Sequence, residues 1–298
     1  MENYIIQCTH LIQLKKGSLN IYGNINISND INISSEFKFL VKYIDNDMDH
    51  INTLNKGDSR KDRYSNIKSY SHNIVTINKE QNYINASPIN IINRKYFITT
   101  QGPKKETIED FWEMVWEHNS NIIVMLCNEI EGGKEKCARY WDDNIIYKKF
   151  NIHIDKENNN NKYIYRKIKL INIEEKKDKI VVQIHFIIWP DHGVPNIQDG
   201  NIFDVFREIF RLVDQISREH PIVVHCRAGV GSTGTFIAMY YLEKEIKIQI
   251  KNKYDIIKFS IFNLVRKLKE MRLYLVKNSS QYKFIYEFAR HLLQKYNV

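Results

Sequence analysis

Residues 223–234 read Val-Val-His-Cys-Arg-Ala-Gly-Val-Gly-Ser-Thr-Gly and place Cys226 between an apolar run and a glycine-rich stretch. The apolar run predicts a short buried strand, and the residues that follow predict a helix over 233–246. A glycine-rich turn between a strand and a helix directs backbone N–H groups into one concavity, which is an anion site. Taken alone, the motif is equally typical of a structural turn with a buried cysteine.

The predicted anion site gives Cys226 a chemical role. Backbone amides and a helix dipole that attract an anion also stabilise a thiolate at the mouth of the turn. A thiolate that faces a bound phosphate is placed for nucleophilic attack on phosphorus. This interpretation therefore predicts a phosphoryl-transfer site at Cys226.

The segment resembles the signature loop of the classical protein tyrosine phosphatases, and other motifs of that family follow in its order. They are Lys-Asp-Arg-Tyr at 61–64, Asn-Tyr-Ile-Asn-Ala-Ser at 82–87, Gln-Gly-Pro at 101–103, Asp-Phe-Trp at 110–112, Lys-Cys-Ala-Arg-Tyr-Trp at 136–141, Trp-Pro-Asp-His-Gly-Val-Pro at 189–195 and Gln-Tyr-Lys-Phe-Ile-Tyr at 281–286. The resemblance implies an α/β fold with a mixed, twisted central sheet and helices on both faces. The cysteine loop would join a strand to a helix N-terminus.

The resemblance also assigns roles to residues. Cys226 matches the nucleophile, Asp191 matches the general acid that protonates the leaving phenolate, and Tyr64 matches the residue that stacks on the substrate ring. Arg272 matches an arginine that braces the cysteine loop. The remaining expected site residues are Asn66, Arg227, Ala228, Gly229, Val230, Gly231, Ser232, Lys277 and Gln281 for substrate and phosphate, with Glu131, Lys136 and His225 in support. No cofactor and no metal are expected.

One departure from the family pattern decides the functional expectation. The family has an arginine six residues after the cysteine, and this chain has Ser232 there. That arginine holds two phosphate oxygens in a bidentate fork, for which the planar guanidinium is suited and a short neutral hydroxyl is not. By analogy with other phosphoryl-transfer arginines, its loss lowers the rate by roughly 10³–10⁵-fold.

Three further positions differ from the family. Lys277 replaces the glutamine that positions the hydrolytic water, and Asn66 replaces the aspartate that accepts hydrogen bonds from substrate amides. Both changes favour loss of turnover. Arg227, which follows the cysteine where many members have serine, argues the other way because it is a candidate replacement for the lost cation.

These residues leave three functional hypotheses. The first is an inactive phosphatase-like protein, a pseudophosphatase, that binds phosphotyrosine proteins or other signalling partners. The second is a slow phosphatase that uses Cys226, Asp191 and Arg227. The third is a basic protein that reuses the fold to bind nucleic acid or acidic lipid. It ranks last, because the formal net charge of +9 is accompanied by no aromatic–basic interleaving beyond the family motifs.

The composition points to a cellular setting. The bias towards Asn, Ile and Lys, together with the altered signature, resembles the tyrosine-phosphatase-like proteins of parasitoid-wasp bracoviruses, which are thought to disturb host signalling. The four cysteines form neither a metal-binding pair by spacing nor a dense disulfide framework. With no predicted signal peptide, membrane anchor or spanning segment, we expect a cytoplasmic protein, in the host cell if it is viral. The oligomeric state is left open.

Apolar periodicity predicts the organisation of the chain. We expect a loose extension over 1–33 and one phosphatase-like domain over 34–298. Helices are predicted over 34–44, 107–118, 202–216, 233–246, 256–271 and 279–295, and strands over 122–127, 163–173, 180–188 and 222–225.

Overall fold

The computed structural model describes residues 14–15, 30–47, 54–78, 82–91, 96–190, 193–198 and 201–296. Over these ranges the chain forms an eight-stranded mixed sheet, three two-stranded pairs and six α-helices. None of these helices has both the length and the apolar character that crossing a membrane requires. The architecture is the α/β arrangement that the sequence predicts.

The strands and helices are numbered in chain order. The strands are β1 (Leu14–Lys15), β2 (Thr76–Ile77), β3 (Asn82–Tyr83), β4 (Ala86–Ile89), β5 (Phe97–Gln101), β6 (Ile122–Met125), β7 (Ile130–Glu131), β8 (Lys134–Glu135), β9 (Ile145–Tyr147), β10 (Phe150–Asn159), β11 (Tyr163–Asn172), β12 (Lys177–Phe186), β13 (Ile222–Cys226) and β14 (Ile256–Ile257). The helices are α1 (Asp30–Asp47), α2 (Ile108–Glu117), α3 (Ile202–Ser217), α4 (Gly231–Lys251), α5 (Ile261–Met271) and α6 (Ser279–Tyr296).

The large sheet has the order β4-β5-β13-β6-β12-β11-β10-β9. Its centre is parallel, because β13 pairs in parallel with β5 and β6, and β6 pairs in parallel with β12. Every residue of β5, β6 and β13 is buried. Since successive side chains of a strand point to opposite faces, both faces of the central sheet are covered. Cys226 ends the central strand β13, so the sheet positions it at the carboxyl edge.

Two helices each bury an apolar stripe. On α3, Phe206, Ile209, Phe210 and Val213 all face the core, and on α2 the residues Phe111, Trp112 and Val115 do the same. These aromatic side chains belong to the core, whereas Trp116 at the end of α2 is only partly buried against it.

Helix α1 is tied to the last helix by a buried carboxylate. Glu36 accepts hydrogen bonds from the hydroxyls of Tyr282 and Tyr286, the second at 2.6 Å. All three side chains are buried, with Glu36 only 8% exposed. Because a buried carboxylate needs partners to offset lost hydration, this contact fixes α1 against α6.

Some predicted boundaries differ from the structure. The predicted helix 256–271 is wrong at its start, because Ile256–Ile257 is a strand and the Ser260 hydroxyl caps α5 by accepting from Asn263 N. Helix α1 begins at Asp30, four residues before the predicted boundary at 34. Within the predicted extension, Leu14–Lys15 pairs with β14, and residues 1–13 and 16–29 lie outside the described ranges.

Replacement of Gly234 should destabilise the fold even though alanine is the better helix former. A Cβ atom on Gly234 would lie 2.4 Å from the backbone nitrogen of Val276 and 2.9 Å from Leu275 Cα. The helical preference for alanine is worth about 1 kcal/mol, whereas overpacking against backbone costs about 1–3 kcal/mol or more. We expect Gly234→Ala to lower the free energy of unfolding measured in urea.

Gly231→Ala is the matched control on the same helix. Its Cβ would meet the amide end of the Gln281 side chain at 2.8 Å, and that side chain can move aside. We expect the smaller loss of stability from Gly231→Ala. Equal losses from the two variants would contradict the claim that backbone contact makes Gly234 necessary.

Candidate active site

The cysteine loop runs from the end of β13 into α4. Gly229 has φ +71°, and a Cβ atom there would lie 2.2 Å from the carbonyl oxygen of Thr100 on β5. Glycine is the residue that adopts left-handed backbone without strain, so both the conformation and the space require it. The loop is therefore folded tightly against the neighbouring strand.

The loop presents hydrogen-bond donors that the protein itself does not use. Within the described part of the chain, no backbone or side-chain acceptor receives the N–H groups from Ala228 to Thr233. These groups lie at the N-terminus of α4, where the helix dipole favours an anion. The residues predicted to line a phosphate site are thus continuous and available, and phosphate binding itself stays a prediction.

Thr233 adds a donor that the sequence reasoning missed. Its hydroxyl is fully buried in the first turn of α4 and has no hydrogen-bond partner among the described residues. A buried hydroxyl without a partner is uncommon, and here it accompanies the free amides. A threonine directly after Ser232 was the available sequence signal.

Arg272 braces the loop from beneath, as the resemblance implies. Its guanidinium donates to Gly229 O at 3.1 Å, Asn85 Oδ1 at 2.7 Å, Ser69 Oγ at 2.9 Å and Ser87 Oγ at 3.2 Å. The side chain is fully buried. Burial lowers the pKa of Arg272 to about 10, so the guanidinium remains charged at neutral pH.

The segment that carries Tyr64 is held to the cysteine loop through the 101–103 turn. Arg63 donates from its backbone to Gln101 Oε1 at 2.8 Å and from its guanidinium to Gly102 O at 3.1 Å. Gly102 N in turn donates to Arg227 O at 3.1 Å. This chain of bonds sets the position of Tyr64 relative to Cys226.

Arg227 points towards Tyr64. The guanidinium carbon of Arg227 lies 5.3 Å from the centroid of the Tyr64 ring, which is a cation–π contact. The Arg227 side chain is therefore directed at the residue expected to stack on the substrate ring. Asn66, predicted beside it, is exposed.

Ser232 occupies the position where the family has its arginine. It lies half-buried in the first turn of α4, and its hydroxyl makes no hydrogen bond to any described residue. Two other predicted residues, Lys277 and Gln281, contact each other nearby. The Lys277 N–H donates to Gln281 Oε1 at 2.9 Å, and the Lys277 side chain is exposed. The Gln281 amide lies against Gly231, which links Lys277 to the loop through its backbone.

The loop that would supply the general acid is described only in part. Trp189 is buried against Phe186, Phe206 and Phe284 and donates from Nε1 to Gly193 O at 3.4 Å. Asp191 itself lies outside the described residues, so its predicted role stays a prediction. Trp189, just before the loop, is therefore anchored in the core.

The two predicted supports on the β7–β8 hairpin lie close to each other in the chain. Glu131 accepts from Asn128 Nδ2 at 3.0 Å. Lys136 is 4% exposed and donates from its backbone to Glu129 O at 2.7 Å. Both residues hold the hairpin in place.

His225 supports the loop as a neutral side chain. Its Nδ1 is 3.2 Å from Cys226 O, and its Nε2 is 2.8 Å from the Tyr140 hydroxyl. A carbonyl oxygen only accepts, so Nδ1 carries the proton and Nε2 accepts from Tyr140. Burial lowers the pKa of His225 to about 3, which excludes a charged imidazole at neutral pH and agrees with the predicted structural role.

The fold also brings together two cysteines that sequence spacing did not pair. Cys127 and Cys137 are both buried and both reduced, and their sulfur atoms lie beside the His225 ring. The contact with Cys137, together with burial, raises the pKa of the Cys127 thiol. Spacing along the chain does not predict this cluster, because its members come from three separate segments.

Comparison with known proteins agrees with this geometry. A family model described as protein-tyrosine phosphatase matches residues 58–291. Tyrosine-protein phosphatase non-receptor type 20 from Rattus norvegicus is 35% identical over 241 residues, which cover 78% of this chain and 54% of that protein. The Homo sapiens type 20 protein is 34% identical over 266 residues, covering 87% and 60%. Homo sapiens non-receptor type 4 is 34% identical over 237 residues, covering 76% and 24%.

The lengths of these relatives differ from that of this chain. The chain spans somewhat more than half of the type 20 proteins and about a quarter of the type 4 protein. The similarity therefore concerns the region that contains the cysteine loop and its supports.

Loss of Arg272 should unfold the loop and weaken the whole domain. Arg272→Met leaves the buried oxygens of Gly229 and Asn85 without a donor, and each such group costs about 1–3 kcal/mol. We expect the free energy of unfolding to fall by about 3 kcal/mol or more, measured by urea denaturation. The free energy of unfolding of Arg272→Lys should lie between those of the native protein and Arg272→Met, because an ammonium keeps the charge but does not reproduce the planar fork.

Arg211→Met is the control for loss of an arginine as such. Arg211 is exposed on α3 and has no polar partner among the described residues. Its substitution should change stability by no more than about 0.5 kcal/mol. A loss in Arg211→Met as large as that in Arg272→Met would contradict the bracing role.

Proposed function

Because this chain belongs to the protein-tyrosine phosphatase family, we propose that it is a pseudophosphatase, which keeps the phosphotyrosine pocket but has lost the cation that turnover requires. Its function is then to bind phosphotyrosine-containing proteins rather than to hydrolyse them. The observation that carries the proposal is Ser232 in the first turn of α4, where its hydroxyl reaches no described partner.

The absence of the arginine affects the transition state more than the fold. Charge develops on the phosphoryl oxygens during transfer, and an arginine meets that charge with two parallel hydrogen bonds. Backbone amides and a serine hydroxyl supply dipoles but no charge. The deficit is on the order of 4–7 kcal/mol for a rate loss of 10³–10⁵.

The contacts around the cysteine loop support binding without turnover. The free N–H groups from Ala228 to Thr233 form a donor-rich turn, and Arg272 holds that turn in shape. Tyr64 stands beside it on a segment fixed through Arg63. A phosphate group therefore still has donors to meet, and an aromatic ring still has a ring to stack on.

Two replacements support binding over hydrolysis. Lys277 stands where the family has the glutamine that positions water, so a phospho-cysteine intermediate would be released slowly. Asn66 is exposed beside Tyr64, and its amide oxygen still accepts hydrogen bonds from a peptide, though without charge. The replacement at Asn66 therefore weakens peptide binding, and the replacement at Lys277 slows hydrolysis to a greater extent.

A second candidate, a slow phosphatase, is favoured by one observation. The Arg227 guanidinium lies 5.3 Å from the Tyr64 ring centroid, so a cation is present on the Tyr64 side of the loop. If it reaches the phosphate, it replaces part of the lost charge. The two candidates differ in what Arg227 does to turnover.

The cellular setting is part of the proposal. Phosphotyrosine proteins act in signalling, and the compositional resemblance to bracovirus proteins extends the proposal to a modulator of host signalling. The site of action would then be the host cytoplasm.

Hydrolysis of a phosphotyrosine peptide tests the lost cation. We expect the native protein to match the Cys226→Ser blank, and Ser232→Arg to exceed it by about 10³-fold or more. Ser232→Lys is the matched control. It restores charge without the bidentate fork and should gain less. The measurement is steady-state release of phosphate.

Two outcomes would count against the proposal. Turnover by the native protein well above the Cys226→Ser blank means that it is an enzyme. If Arg227→Ala then removes that turnover, the slow-phosphatase candidate is correct. If Ser232→Arg stays at the blank, the missing arginine is not what silences the pocket.

Binding of the same peptide tests the retained pocket. In isothermal titration, the phosphorylated peptide should bind both the native protein and Cys226→Ser. The unphosphorylated peptide should bind neither. Tyr64→Ala should weaken the affinity roughly two- to tenfold, the range for one aromatic stacking contact. Equal binding of both peptides, with steep loss on adding salt, would instead indicate a general basic surface.

A further inference from the structure

The cluster behind the cysteine loop contains three donors suited to a soft metal ion. The sulfur atoms of Cys127 and Cys137 and a ring nitrogen of His225 all lie within 4.8 Å of one another. Cys127 follows β6, Cys137 follows β8, and His225 lies on β13. All three residues are buried, with exposures of 7%, 1% and 0%.

We propose that Cys127, Cys137 and His225 bind one zinc ion. Thiolate and imidazole are the ligands of structural zinc, with Zn–S near 2.3 Å and Zn–N near 2.0 Å. Three donors within 4.8 Å of each other can reach those distances through small side-chain movements. The proposal does not depend on whether the active site binds phosphotyrosine.

The charge balance favours a divalent ion. Binding forms two Zn–S bonds and one Zn–N bond, and the two thiol protons leave to solvent. Two thiolates, one neutral imidazole and Zn²⁺ sum to zero net charge, which a dry interior accepts far better than a charged group. A monovalent ion with the same ligands would leave a negative charge in the core.

The surrounding hydrogen bonds already orient the imidazole. His225 Nδ1–H donates to Cys226 O at 3.2 Å, which leaves the lone pair on Nε2. A ligating histidine is normally fixed by a bond of this kind from its other nitrogen. The Cys226 carbonyl would therefore serve as the outer partner of the site.

The Tyr140 hydroxyl donates to the lone pair on His225 Nε2, and a second acceptor lies within its reach. Its hydroxyl is 2.8 Å from His225 Nε2, and it also lies 3.9 Å from Met125 Sδ while accepting from Gln183 Nε2 at 2.8 Å. The hydroxyl proton can turn to Met125 and release Nε2. The Tyr140 oxygen, 2.8 Å from His225 Nε2, is the candidate for the fourth position that tetrahedral zinc requires.

The site lies against the backbone of the nucleophile. A Cβ placed on Gly102 would be 2.8 Å from Cys226 O and 3.2 Å from Cys137 Sγ, so that sulfur and that carbonyl are neighbours. An ion there would connect three parts of the chain, which are the end of β6, the segment that follows β8, and strand β13. Because the cluster is buried, zinc would enter during folding and resist chelators afterwards.

Zinc content after gel filtration through a chelator tests the proposal. The full chain is expressed with added zinc, passed through buffer with EDTA, and analysed by elemental mass spectrometry. We expect one zinc per chain in the native protein and in Cys226→Ser and Cys8→Ser, and none in Cys127→Ser/Cys137→Ser. The double variant should also melt at a lower temperature than the native protein.

A spectroscopic measurement covers the case in which the double variant does not fold. Protein refolded with Co²⁺ in place of zinc should show a thiolate charge-transfer band, also in Cys226→Ser. Zinc no higher than in a metal-free blank, or zinc lost in Cys226→Ser, overturns the proposal. So does a native protein whose mass and thiol count show a Cys127–Cys137 disulfide.

Discussion

A buried arginine beneath the cysteine loop is the contact on which the rest of the site depends. Arg272 joins Gly229 in the loop to Asn85, Ser69 and Ser87, which lie far away in the sequence. Burying a charge is unfavourable unless every donor finds an acceptor. The oxygens on these segments must therefore converge, and that convergence holds the turn in a shape with its own N–H groups pointing away from protein acceptors.

The bracing contacts and the catalytic contacts use different side chains. Arg272 and Gly229 shape the loop, whereas the Ser232 hydroxyl forms no hydrogen bond to any described residue. A substitution at 232 can therefore remove charge from the pocket and leave the fold intact. Under the proposed function, this separation allows the fold to persist without turnover.

The long amphipathic elements could be predicted from the sequence, and the short ones could not. Helix α3 and strands β6 and β13 bury a continuous face or a continuous run, so periodicity identifies them. Strand β9 has three residues at the edge of the sheet and depends on its pairing with β10 rather than on any pattern of its own. The error at 256 has a similar cause, since the pairing of Ile256–Ile257 with a distant segment overrides helical periodicity.

The predicted site divides in the same way. The family resemblance named the residues of the loop and its brace, and the structure places Arg272, Gly229 and His225 around Cys226. The contact between Arg227 and Tyr64 depends on a rotamer, and the meeting of Cys127 with Cys137 depends on three segments of the fold. Neither can be read from spacing along the chain.

The link between Glu36 and Tyr282, whose partners are 246 residues apart, has a consequence for the order of folding. Closing a loop of this length costs conformational entropy and slows formation of the contact. The Glu36 carboxylate must therefore stay hydrated until nearly all of the chain is available to cover it.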